Sequence, residues 1–351
     1  MTTIRVLVVD DAAAVRRIVQ IALGRNARFE VVGTAANGQE AIAAAEKLRP
    51  DAIVLDVEMP VMTGLEAIPE LCRCVPDAKI LMLSAYTSQG ASITMQALMA
   101  GAADYLHKPS MTGGLDDAVA QLAGQLAEKL EALCPKPASD RSPPTSTATG
   151  TDSATGRCEV LAIGSSVGGP VALSILLSGL RSNFPLPILV CQHMPPEFTA
   201  QLADILTEKT PFSFSEAQHG QLVQPGRGYV APGDWHMRVR RRDDETVVIQ
   251  LNQNPPLNSC RPSVDELYES VADVYGAGTL ALVLTGMGRD GLEGCRVIHA
   301  QGGRIWVQDE ATSTVWGMAG SISRAGLAQR VIPLPDMASA VNQVIRIGTQ
   351  A

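Results

Sequence analysis

Residues 161–170 read LAIGSSVGGP, with Ser165 and Ser166 set between glycines directly after a short apolar run. Two chemistries compete for that pattern. The glycines can let the backbone cradle a phosphate, or they can relieve crowding around a serine on a sharp strand-to-helix turn, where its hydroxyl attacks a substrate. A dinucleotide loop needs G-x-G-x-x-G and an acid about twenty residues on, at the end of the next strand. Gly164, Gly168 and Gly169 lack that spacing, and the next apolar run ends in VCQHMPP without an acid. Residues 164–168 fit G-x-S-x-G instead, so the search turns to a base for Ser166 and an acid to orient that base.

Five histidines are available. His107 belongs to the N-terminal part of the chain, His299 falls at the end of a helical pattern, and His219 and His236 lie in a turn-rich stretch. His193 ends LPILVCQ, the apolar run that follows the serine's helix, which puts it on the same sheet edge as Ser166. LALVLTGMGRDG delivers Asp290 to that edge, with Asp309, after RIWVQ, as its competitor. The glycines of GMGRDG also leave backbone N–H groups free for an oxyanion. The chain order Ser, His, Asp differs from the Ser, Asp, His order of α/β-hydrolases and excludes ordinary lipase or esterase membership. Two rivals stand beside the serine: a nucleophilic Cys191, whose place inside a strand favours a buried thiol, and a module that only binds partners.

A second constellation lies near the N-terminus. Asp10 and Asp11 end the run IRVLVVD, Asp56 ends AIVLDV, Ser84 follows the fourth apolar run, and Lys108-Pro109 follows the fifth. In a parallel sheet these ends lie side by side. Three converging carboxylates need a cation, and hard oxygen ligands favour Mg²⁺ with several waters retained. The Lys108 ammonium then pairs with the carboxylates or with a phosphoryl group.

The elements that position these residues follow from length and pattern. A chain of 351 residues with 46% hydrophobic content supports two cored domains and excludes wholesale disorder. No apolar run is long enough to span a bilayer, and the first residues enter a strand pattern carrying aspartates, unlike a signal peptide. Seven scattered cysteines fit reduced thiols in the cytoplasm, and Cys72 and Cys74 have no second pair to make a zinc ribbon. The net charge of −8 argues against a nucleic-acid partner, and the basic run MRVRRRDD at 237–244 reads as a solvated strand or hairpin.

Residues 134–157, rich in Pro, Ser, Thr and Gly, read as a flexible linker between a domain at 1–133 and a second at 158–351. The first alternates five strands with five helices and predicts an α/β, doubly wound parallel sheet. The second alternates similarly through EVLAIG, LPILVCQ, LALVLTG and RIWVQ, with an antiparallel hairpin inserted over residues 212–251.

VVDD, LDVEMPVMTGLE, MLSAYT and GAADYLHKP resemble the receiver domain of two-component response regulators, over roughly residues 4–133. The resemblance implies a flavodoxin-like fold, Asp56 as phosphoacceptor, Asp10 and Asp11 with Asp56 as Mg²⁺ ligands, and Ser84 and Lys108 as contacts of the phosphoryl group. It makes Tyr105 the aromatic that reorients on activation and a histidine kinase the phosphodonor. AIGSSVGGP, CQHMPPEFT, YVAPGDWHM, CRPSVDELY and LTGMGRDG resemble the catalytic domain of chemotaxis protein-glutamate methylesterases, a Rossmann-like fold, from about residue 160 onward. That resemblance implies Ser166 as nucleophile, His193 as base, Asp290 as orienting acid, and an oxyanion hole to which Met287 lends a backbone N–H. The residue after the nucleophile is threonine in that family; Val167 keeps the N–H and loses the hydroxyl. Methyl-accepting chemotaxis receptors are the implied substrates, with glutamine deamidation as a companion activity, no cofactor for hydrolysis, and a resting receiver packed over the cleft.

Overall fold

The computed structural model describes residues 3–84, 88–109, 115–135 and 157–347. The chain divides into two compact units, Met1–Arg141 and Ser142–Ala351. The linker expected at 134–157 lies, apart from residues 134, 135 and 157, outside the described residues.

The first unit runs β1 (Ile4–Val9), α1 (Ala13–Gly24), β2 (Phe29–Ala35), α2 (Gly38–Leu48), β3 (Ala52–Asp56), α3 (Gly64–Cys74), β4 (Lys79–Ser84), α4 (Ser88–Ala100), β5 (Asp104–His107) and α5 (Leu115–Leu133). Its apolar runs are sealed from solvent on both faces, as Val6 to Val9 in β1 and Ala52 to Leu55 in β3 show. Among the described residues the sheet is wholly parallel, in the order β2-β1-β3-β4-β5. The chain leaves β1 in both directions, and ligands bind where such a sheet reverses. The register Val9↔Leu55 puts Asp10 directly beside Asp56 at that point.

The second unit runs β6 (Val160–Ser165), α6 (Gly169–Ser178), β7 (Ile188–Gln192), α7 (Pro196–Lys209), β8 (Ser213–Glu216), β9 (Arg227–Val230), β10 (His236–Arg241), β11 (Val247–Asn252), α8 (Val264–Tyr275), β12 (Thr279–Val283), α9 (Leu292–Ala300), β13 (Arg304–Gln308), α10 (Met318–Arg324), β14 (Arg330–Ile332) and α11 (Leu334–Ile347). The parallel order β14-β13-β12-β6-β7-β9-β8 puts β6 between β12 and β7. Three strand ends therefore meet at one edge: those leading to Ser166, His193 and Asp290.

The antiparallel hairpin is real but shorter than expected. It is β10 paired with β11. The first part of the 212–251 stretch instead joins the main sheet as β8 and β9, each four residues long and parallel to its neighbour. Strands this short carry too few alternating positions to separate a hairpin from the margin of a parallel sheet by pattern.

Helix α8 lies against β6 at Gly164. A methyl group there would sit 2.5 Å from Val264 Cγ1 and 3.1 Å from the Tyr268 hydroxyl. Fully buried Tyr268 donates that hydroxyl to the Leu282 carbonyl at 2.7 Å, tying α8 to β12 as well. Gly164→Ala should therefore overpack the core and cost about 1–3 kcal/mol. Gly124→Ala, on an exposed turn of α5 where a methyl meets nothing within 4 Å, should instead stabilise by about 0.5–1 kcal/mol. Urea denaturation of the full chain followed by circular dichroism should show shifts of opposite sign.

Candidate active site

Ser166 follows β6 on the turn into α6. The left-handed position of that turn is Gly168, with φ 75°, so the serine itself is spared backbone strain. Gly286 passes so close that a methyl there would lie 2.8 Å from Ser166 Cβ. Gln192, 2% exposed, ties the neighbouring strand ends together: it accepts the Ser165 hydroxyl at 2.7 Å and donates to the carbonyls of Ser166 at 2.9 Å and His193 at 3.1 Å. The His193 N–H donates to the Ser165 carbonyl at 3.0 Å. Serine and histidine are thus held on adjacent strand ends, although among the described residues no hydrogen bond joins Ser166 Oγ to the imidazole.

His193 Nε2 lies 2.8 Å from Asp290 Oδ2. Asp290, 1% exposed, sits at the N-terminus of α8. It accepts the Ser263 hydroxyl at 2.7 Å, the Val264 N–H at 2.6 Å and the Asn258 amide at 3.2 Å. A helix N-terminus favours an anion through its unpaired N–H groups and dipole. Burial opposes the charge on Asp290, but the bonds from His193, Val264 and Ser263 outweigh it and hold the carboxyl well below the usual range. Burial likewise disfavours a charged His193, and the Asp290 bond, with Cys260 adding to it, overrides that and carries the imidazole above its ordinary value. In the neutral imidazole, with Nε2–H donated to Asp290, the lone pair lies on the other nitrogen, Nδ1. It faces Cys260 Sγ at 3.5 Å.

The other candidates fall away from this cluster. Asp309 accepts the Thr312 N–H and hydroxyl in its own turn. His236 is fully buried, accepting the Ser263 N–H and facing the Pro255 carbonyl, and His219 bonds the Leu251 backbone. Cys191 is buried inside β7, and burial pushes its thiol well up, which removes it as a nucleophile. Among the described residues, the N–H groups of Val167 and Met287 have no hydrogen-bond acceptor. The same is true of Gly168 and of residues 288–291, so both loops carry N–H groups of the kind an oxyanion draws on. Sequence reasoning missed Gln192, Asn258, Cys260 and Ser263. Only Ser263, one residue before a helical run opening on acids, left a signal, and its hydroxyl goes to Asp290 instead of capping α8.

In the first unit Asp10 and Asp56 are buried, while Asp11 is exposed. Lys108 Nζ lies 2.9 Å from Asp10 Oδ2 and 2.8 Å from Asp56 Oδ1. Asp56 Oδ2 is buried and, among the described residues, has no hydrogen-bond partner. The three aspartates offer oxygens within 4.8 Å of one another. An orphaned carboxylate oxygen in an all-oxygen set fits a hard divalent cation. Ser84, fully buried, has its hydroxyl 2.6 Å from that of Thr94, and Tyr105 is 9% exposed with its ring edge-on to His107.

A family model described as CheB methylesterase matches residues 161–341, and one described as response regulator receiver domain matches residues 6–120. The chain is 41% identical to a protein-glutamate methylesterase/protein-glutamine glutaminase of Trichodesmium erythraeum, covering 99% of this chain and 100% of that one. It is 43% identical to protein-glutamate methylesterase/protein-glutamine glutaminase 2 of Caulobacter vibrioides, over 95% and 96% of the two chains. The crystal structure of the Thermotoga maritima CheB methylesterase catalytic domain matches with a TM-score of 0.52 at 36% identity, covering 53% of this chain and 98% of that one. A receiver domain of this kind implies Mg²⁺-dependent phosphorylation and a histidine kinase as donor.

Burial, with Asp10 adding to it and Lys108 opposing, pushes Asp56 up to about 6. A folded-state value above the unfolded one contributes stability below the unfolded value, and that stability is lost as pH rises through about 6. Asp56→Asn should therefore stabilise the chain at pH 8 by roughly 1–3 kcal/mol. Mg²⁺ should raise the melting temperature of the unsubstituted chain more than that of the variant. Thermal melting at pH 5 and pH 8, with and without Mg²⁺, checks both.

Proposed function

Because the chain belongs to the protein-glutamate methylesterase/protein-glutamine glutaminase family and carries a response regulator receiver domain, we propose that Ser166, His193 and Asp290 hydrolyse glutamate methyl esters on methyl-accepting chemotaxis receptors. The observation that carries this assignment is the His193–Asp290 bond, which directs Nδ1, now facing Cys260, to the side of the ring away from the acid. The Ser166 hydroxyl turns to Nδ1 and gives up its proton as the oxygen attacks the ester carbonyl. The N–H groups of Val167 and Met287 hold the resulting oxyanion. The imidazolium returns the proton to the departing methoxide, releasing methanol, and water then cleaves the acyl-enzyme by the same relay. A glutamine amide passes through the same intermediate and releases ammonia. None of these steps asks for a metal.

In the receiver, Asp56 accepts a phosphoryl group from the histidine kinase. Asp10, Asp11 and Asp56 would hold Mg²⁺, which neutralises charge on the transferring oxygens. Lys108 and Ser84 take up the phosphoryl oxygens, and Tyr105 turns with Ser84. Among the described residues no helix is long and apolar enough to cross a membrane. Cytoplasmic action on the receptors' helices fits that, with neither membrane insertion nor a nucleic-acid partner.

Methanol release from methylated receptor membranes tests the assignment. Ser166→Ala and His193→Ala should each lose roughly a thousandfold or more, while Cys260→Ser keeps a Ser166-dependent turnover. Asp290→Asn should fall on the order of 10³–10⁴-fold, because asparagine favours the wrong imidazole tautomer. A raised His193 value means that the base form, and with it kcat/KM, grows as pH rises above the ordinary histidine range. Removing the Asp290 charge should move that limb to lower pH. If His193→Ala keeps full turnover, the assignment fails. A small-molecule phosphodonor with Mg²⁺ should raise methanol release by the unsubstituted chain and leave Asp56→Asn at its basal rate.

A further inference from the structure

The thiol facing the base opens a second use for the same nitrogen. We propose that Cys260 and His193 form a soft-metal site: a thiophilic divalent cation such as Zn²⁺, held by Cys260 Sγ and His193 Nδ1, occupies the base and stops hydrolysis. The inhibitory half rests on His193 being the base; the binding half does not.

Three observations support the site. First, the spacing is right. Zinc bonds of about 2.3 Å to sulfur and 2.0–2.1 Å to nitrogen, at a tetrahedral angle, separate the two donors by about 3.5 Å. Sγ and Nδ1 stand 3.5 Å apart. An ion enters between them with little movement of either side chain. Second, the outer support is already built. Metal-bound histidines characteristically donate their other ring N–H to a carboxylate, which fixes the tautomer and raises the basicity of the ligating nitrogen. His193 makes that bond to Asp290, and Asp290 lies within the same cluster of potential ligands. Third, the thiol is delivered by a rigid turn. Asn258 and Ser259 both take left-handed conformations, φ 50° and 63°, and Leu257 and Cys260 exchange backbone hydrogen bonds across them. The Asn258 amide reaches Asp290 and Asp265, so the turn is anchored to the acid that orients the histidine. Both ligands remain partly exposed, which leaves an entry path and open positions for water.

Binding displaces the thiol proton and, from the protonated imidazole, the Nδ1 proton, both of which leave to solvent, and forms one metal–sulfur and one metal–nitrogen bond; nothing is oxidised, and affinity rises with pH. Ligand softness separates the two cation sites of the chain. Thiolate and imidazole select Zn²⁺ or Co²⁺, whereas the all-carboxylate set of Asp10, Asp11 and Asp56 selects Mg²⁺.

Co²⁺ titration of the full chain tests the site, because only a thiolate ligand gives sulfur-to-cobalt charge-transfer absorption, and carboxylates give none. The expected result is a band saturating at one equivalent, absent in Cys260→Ser, weakened roughly tenfold or more in affinity in His193→Ala, and unchanged in the Cys72→Ser/Cys74→Ser double variant. The band needs no enzymatic activity, so it reads binding even in variants that do not turn over. In parallel, Zn²⁺ should inhibit methanol release over the range in which it displaces cobalt, a chelator should restore the rate, and Cys260→Ser should keep its own rate under the same Zn²⁺. Absence of the band, or its survival in Cys260→Ser, overturns the site. A band of the expected dependence with undiminished hydrolysis overturns the inhibition, and with it the role of His193 as base.

Discussion

The strand edge that gathers Ser166, His193 and Asp290 depends on keeping one buried carboxylate charged. Asp290 has almost no solvent, and an unpaired carboxylate there would take up a proton instead of ordering its neighbours. It stays ionised because donors from three separate segments converge on it: the side chain of Asn258, the hydroxyl of Ser263 with the first N–H of α8, and His193 at the end of β7. Each of those segments is thereby fixed to the others. The imidazole tautomer, the approach of α8 to β6 across Gly164, and the aim of the 257–260 turn are linked consequences of satisfying a single charge.

The acidic cleft of the first unit solves the opposite problem. There the carboxylates are under-satisfied: among the described residues, Asp56 has one oxygen without a partner, and Lys108 alone bridges Asp10 and Asp56. Burial near a like charge raises Asp56 to about 6, so its charge is held against burial, and a cation beside it relieves that opposition. A site meant to hold one protonation state is over-bonded, and one meant to change its charge is left short of partners. The two units of this chain show both designs on sheets of the same parallel class.

Long buried strands were legible because their apolar runs are continuous, and Ser166, His193 and Asp290 could be singled out as candidates because each follows such a run. The four-residue strands β8 and β9 were misread as part of a hairpin, since so short a segment has no period to measure. Asp309 and Asp290 could not be separated by spacing, as both follow buried strands. The structure separates them: Asp309 is spent on Thr312 in its own turn, while Asp290 meets α8. Gln192, Asn258 and Cys260 carried no signal, because a polar residue beside a motif acquires its role only from what the fold sets opposite it. Cys260 is 67 residues from the histidine that it faces.

Asp265 shows how far the charge on Asp290 reaches. It lies one residue into α8, 4% exposed, accepting the Gly294 N–H at 2.8 Å and the Asn258 amide at 3.0 Å. Burial first, and then the nearness of Asp290, push it up to about 7 despite those two bonds. Two aspartates share one helix N-terminus and one asparagine, yet their environments drive them apart, and such divergence is how neighbouring carboxyls acquire different roles. The partner that separates them is His193, which bonds Asp290 and holds it low while Asp265 stays raised. In the proposed reaction, the Asp290 charge that steadies the protonated histidine is in place before the serine gives up its proton. The electrostatic asymmetry of the site is set by the docking of α8, leaving the Ser166 side chain to turn toward the imidazole in the proposed reaction.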